Sequence, residues 1–78
     1  MAKKKFRLVE VTWIDSAFNQ GWRLPKFYVP PAECKTVGYL THDEKDFINV
    51  AMNVNDEGGW GEAMAIPRVC VRKIRRVR

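Results

Sequence analysis

The stretch VGYLTHDEKDFINVAMNVN, Val37 to Asn55, decides how this chain folds, because it reads as a β-hairpin. In its first arm Val37, Tyr39 and Thr41 alternate with Thr36, Gly38, Leu40 and His42. That is a period of two in residues that suit a pleated surface. Asp43, Glu44, Lys45 and Asp46 supply a polar turn. In the second arm Ile48, Val50, Met52 and Val54 share one face, and Phe47, Asn49, Ala51 and Asn53 the other. The first face can enter a core, and the second presents an aromatic ring and two amides.

Working outward, Phe6 to Ile14 alternates with Val9, Val11 and Trp13 on one side and forms the first strand, with Trp13 in the core. Residues 15–34 follow as a long connection, since Gly21, Pro25, Pro30 and Pro31 interrupt any regular element. Beyond the hairpin, Asp56, Glu57, Gly58 and Gly59 signal a turn that leaves Trp60 exposed. Glu62 to Ile66 makes a short fourth strand ended by Pro67, and Val69 to Val77 a fifth. Five short strands, with a glycine that lets one of them bend, predict an all-β single domain: a small five-stranded Sm-like or SH3-like barrel with a long loop after the first strand.

The residues Gly38, Leu40, Phe47, Asn49 and Val50 carry a resemblance to the first motif of the Sm and Sm-like proteins, including bacterial Hfq. The resemblance implies a ring in which the aromatic position stacks on an RNA base and the asparagine hydrogen-bonds it, here Phe47 and Asn49. The chemistry is sound in itself, since every base has a π-face and an amide both donates and accepts. The chain departs from the family in its longer, acidic turn. It departs again in Ala65-Ile66-Pro67-Arg68, which lacks the glycine of the second motif. A second resemblance rests on VTWIDS, GW, CKTVGYL, INVA and the Ile-Pro before a basic, apolar end. This order is similar to that of a group of small bacteriophage proteins of unassigned function.

At 78 residues the chain has room for one domain. A domain of this size buries only about 60% of its unfolded surface, so oligomerisation would add needed stability. No apolar run reaches membrane-span length, and Lys3 to Lys5 is not followed by the continuous apolar segment of a signal peptide. The expectation is a soluble cytoplasmic protein without membrane contact, in the host cytoplasm if phage-encoded. Charge is segregated: of 14 basic residues, Lys3, Lys4, Lys5 and Arg7 stand at one end and Arg68, Arg72, Lys73, Arg75, Arg76 and Arg78 at the other, with no acid in either. All nine acids lie between, against Arg23, Lys26, Lys35 and Lys45. If the termini meet, they form a patch suited to phosphate; otherwise they are solvated tails, or meet the acidic turn of another subunit.

The long loop sets Trp22, Phe27 and Tyr28 beside Arg23 and Lys26, a mixture found at protein interfaces and able to stack on bases. The alternative is that these rings cap an open end of the barrel. Catalysis finds no footing, because one serine, Ser16, and one histidine, His42, lack a third group to orient them. Cys34 and Cys70 are too few for a zinc site and are expected as packed thiols at strand starts, or as a disulfide if their strands are adjacent. No cofactor or metal is expected. Two functions remain. One is a non-enzymatic homo-oligomer, ring-shaped or otherwise, serving as an assembly module whose loop engages a phage or host protein. The other is an RNA binder using Phe47 and Asn49 for bases and Arg72, Lys73, Arg75 and Arg76 for phosphates.

Overall fold

Strand β1 (Arg7–Asp15) opens the computed structural model, which describes residues 5–78. It is followed by β2 (Ala32–Asp43), β3 (Phe47–Val54), β4 (Trp60–Pro67), a 3-10 turn (Arg68–Cys70) and β5 (Val71–Arg76). The strands form one antiparallel sheet in the order β4-β3-β2-β1-β5. Successive strands therefore neighbour one another, and only β5 returns, to the far side of β1. β4 and β5 do not pair, so the ladder is open at both. The all-β class and the five strands agree with the sequence reading. The part of the basic tail that holds Lys3 and Lys4 lies outside the described residues.

Two strand boundaries differ from expectation for a physical reason. Residues 32–34, expected in the connection, carry little strand preference, yet they pair with β1 from Asp15↔Ala32 to Trp13↔Cys34. Here tertiary pairing overrides local propensity. At the other end, Pro67 cannot donate to a ladder, and the chain makes a tight turn over Arg68–Cys70 before β5 begins at Val71.

Gly38 fixes how β2 bends. A Cβ built there would stand 2.7 Å from the Ala51 carbonyl oxygen and 2.7 Å from Val50 Cγ1. Only glycine allows β3 to cross so close. Beyond the Tyr39↔Ala51 pair the two strands part: β2 continues along β1, while β3 continues with β4 to Val54↔Trp60. One residue past Leu40 the β2–β3 register shifts, leaving Thr41 as the extra residue of a bulge. A second shift, between Thr12 and Trp13, leaves Arg72 unpaired in β5.

The core is small. Val9, Val11, Ile48, Val50 and Ile66 are buried, with Trp13, Leu40, Cys70, Val71 and Ile74 packed around them. Trp13 is half-buried and donates its indole N–H to the Thr36 hydroxyl at 2.9 Å, which satisfies the polar edge of the ring. The apolar face of β3 does not stay covered. Ile48 and Val50 are buried, but Met52, two residues on, is 72% exposed, because β2 has already turned away. Cys34 and Cys70 are free thiols: Trp13 of β1 pairs with Cys34 on one side and Val71 on the other, so β1 separates them.

Candidate functional site

Phe47 and Asn49 stand on one face of β3, next to the hairpin turn. Phe47 begins the strand opposite Pro67 and is 40% exposed, so its ring is open to a flat partner. Asn49 is half-buried and already engaged. Its Nδ2 donates to Thr41 Oγ1 at 2.8 Å, and the Thr41 hydroxyl donates to the Asn49 carbonyl at 3.2 Å. His42 Nδ1 lies 2.9 Å from the same hydroxyl oxygen. The imidazole meets Trp60 edge-on at 5.6 Å between centroids. Asn49 thus clamps the bulge, and its Oδ1 is what a base would find.

The acidic turn is held by Arg68, just past the end of β4. Arg68 pairs with Asp43, donates to the Glu44 carbonyl at 2.7 Å, and its backbone N–H donates to the Asp46 carbonyl at 2.8 Å. Its guanidinium therefore offsets part of the negative charge beside Phe47.

Of the proposed phosphate contacts, Lys73 and Arg75 face outward on β5, opposite Thr12 and Glu10 of β1, while Arg76 pairs with Val9 and Arg72 occupies the bulge. Arg75 Nε donates to Glu10 at 2.9 Å. That hydrogen bond, with the nearby charges of Arg75, Lys35 and Lys73, holds the Glu10 carboxyl below its ordinary value against a smaller opposing desolvation. The two ends of the chain do meet: the Val77 N–H donates to the Leu8 carbonyl at 2.9 Å, which brings Arg7 alongside the Arg76–Arg78 end. Phe47 and Asn49 lie on β3, with β2 and β1 between it and β5 in the sheet order, so the ring-and-amide pair and the basic strand sit on different parts of the sheet.

The long loop, residues 16–31, does not cap the sheet. Trp22 is 97% exposed and Phe18 88%, with Phe27 and Tyr28 also exposed. Its shape is set locally. Pro25 sits within a turn closed by Phe27 N–H donating to the Leu24 carbonyl at 3.0 Å, and Gly21 takes φ 91°. Lys26 Nζ lies 5.4 Å from the Phe27 ring centre. A shallow concavity of about 460 Å³ opens between Arg23, Phe27 and Tyr28.

A second concavity was not foreseen from the sequence. Where β2 and β3 part, a groove of about 290 Å³ is lined by Thr36, Val37, Met52, Glu62, Ala63 and Met64. Alternation marked Met52 as apolar, but only the bend at Gly38 leaves it uncovered. Among the described residues, no three His, Cys, Asp or Glu side chains converge on a metal-sized site, and no helix is long and apolar enough to cross a membrane.

The fold class is thus a five-stranded antiparallel sheet, a four-strand meander with β5 returned beside β1, carrying an exposed aromatic loop. Comparison with protein-family models, curated proteins and solved structures returns no match to this chain.

Proposed function

We propose that this chain is a non-enzymatic, homo-oligomeric assembly module of the phage type, built on an Sm-like barrel, that pairs its open strands between copies. The observation that carries the reading is the pair of open edges at the ends of the sheet, which differ in charge. β5 carries Arg72, Lys73, Arg75 and Arg76 and no acid, whereas β4 carries Glu62 and follows the turn that holds Asp56 and Glu57. Unpaired edges invite strand addition, and opposite charge favours β5 of one copy beside β4 of the next. A small buried core, Val9, Val11, Ile48, Val50, Ala51 and Ile66 among the described residues, leaves a monomer marginal, which adds a reason to associate. The exposed loop is then available to a phage or host protein. Native mass and sedimentation test this reading: a discrete oligomer that loosens as salt rises supports it, and a monomer at every concentration refutes it.

A second reading, RNA binding, is favoured by the exposed Phe47 ring and by the basic termini that the sheet brings together. It expects affinity for short single-stranded RNA that falls steeply with salt, and loss of base preference in Phe47→Ala. No binding at low salt ends it.

A further inference from the structure

We infer that the aromatic loop, residues 16–31, docks into the groove between β2 and the β3–β4 arm of a second copy of this chain. The inference rests on the oligomeric reading above and assigns it a contact surface. The loop is apolar and basic: Phe18, Trp22, Phe27 and Tyr28 are exposed, Arg23 and Lys26 stand among them, and the segment contains no acid. The arm is apolar and acidic. From Asp46 to Pro67 there is no basic residue, and the acids are Asp46, Asp56, Glu57 and Glu62.

The groove matches the loop in shape as well as in charge. Its walls are Val37, Met52, Ala63 and Met64, and Glu62 is the one charged group among them. Its volume of about 290 Å³ admits a large ring, and methionine walls adapt to an aromatic guest. A ring entering there meets apolar side chains while Arg23 or Lys26 reaches Glu62 or the Asp56–Glu57 tip. A neutral apolar partner would leave the loop cations unpaired, and a phosphate-bearing one would be repelled by the arm. A second copy answers both surfaces. Loop and groove are different surfaces, so copies either exchange loops reciprocally as a two-fold pair or pass them head to tail.

Charge reversal and re-pairing test it by sedimentation velocity on the full chain. Arg23→Glu with Lys26→Glu should weaken self-association by about tenfold or more. Adding Asp56→Lys and Glu57→Lys to the same chain should recover most of the loss. Trp22→Ala should weaken association without lowering the unfolding midpoint, because Trp22 packs on nothing within its own chain. If the wild type is oligomeric and these loop variants leave its mass unchanged, the docking is wrong and the strand-pairing oligomer stands. A wild type that is monomeric throughout overturns both. A monomer that loses a blue-shifted component of its tryptophan emission in Trp22→Ala shows the loop in its own groove and overturns the second-copy assignment.

Discussion

The bulge at Thr41 makes the sharpest quantitative claim about this fold. Thr41 is buried, and its hydroxyl joins the Asn49 carbonyl, the Asn49 amide and His42 Nδ1. Thr41→Val keeps the shape of the side chain and removes all three bonds. The exposed imidazole of His42 turns to water at little cost. The half-buried amide and carbonyl of Asn49 do not, and two orphaned groups at about 1 kcal/mol each give a loss of about 2 kcal/mol. In a domain of this length that lowers the melting midpoint by about 10 °C. Asn49→Ala should cost about 1 kcal/mol, because it removes one donor and spares the threonine its remaining partners. The two changes share one network, so the double variant should fall short of the sum by at least about 0.5 kcal/mol. Urea unfolding followed by circular dichroism measures all four corners of the cycle. A loss below about 0.5 kcal/mol in Thr41→Val, or strict additivity, would falsify the clamp. It would also return Asn49 to the pool of residues free to bind a base.

Three other expectations follow from single residues. Gly38→Ala must push against the Ala51 carbonyl and Val50, which should cost about 1–3 kcal/mol by overpacking, seen as a lower urea midpoint; an unchanged midpoint means that β3 does not cross as closely as described. Arg68→Ala removes the cation that ties the turn to Asp43 and Glu44 and should cost about 1 kcal/mol at this exposed site, with faster amide exchange confined to residues 43–47; uniform protection would count against that role. Glu10 has a folded-state pKa held below 4.5, so its contribution to stability is present above that value and is lost as pH falls through the lower folded value. Arg75→Gln should move the Glu10 titration, followed by carboxyl NMR, up toward 4.5, and no movement would show that the bond is not kept in solution.

The hairpin was legible because its signals are local. Alternation from Val37 to Thr41 and from Phe47 to Val54 survives any neighbour, and Gly38 marked the bend because no other residue fits a strand crossing at that distance. The loop was legible through Gly21 and its prolines. What could not be read depends on partners distant in sequence. Residues 32–34 become a strand only because β1 lies beside them. Arg68 and Asp43 are 25 residues apart, and nothing in either neighbourhood announces the pair. Thr41 was legible as a strand residue but not as the extra one in a bulge, so the engagement of Asn49 was hidden as well. The groove was hidden for the same reason, since Met52 and Val54 continue the apolar face of Ile48 and Val50, and alternation alone would have buried all four.

Size sets a limit on what the loop can do by itself, and that limit gives a last prediction. An aromatic side chain buries about 150–250 Å². Trp22, Phe27 and Tyr28 together therefore offer about 450–750 Å² on the loop side, just under the roughly 800 Å² per partner of a standard interface. Loop docking alone should yield a weak, reversible contact, and edge pairing between β4 and β5 has to supply the remainder. Passed head to tail, both contacts are heterologous, so the assembly closes into a ring if the rotation between copies allows and grows as an open filament if it does not. Sedimentation over a range of concentrations separates the two, since a ring gives one discrete mass and a filament a weight average that keeps rising. Strand pairing is common to both outcomes, so a filament should lose length smoothly in Trp22→Ala, whereas a ring should fall directly to monomer. A filament of unchanged length in Trp22→Ala would show that the strand edges carry the whole assembly and that the loop faces outward to another partner.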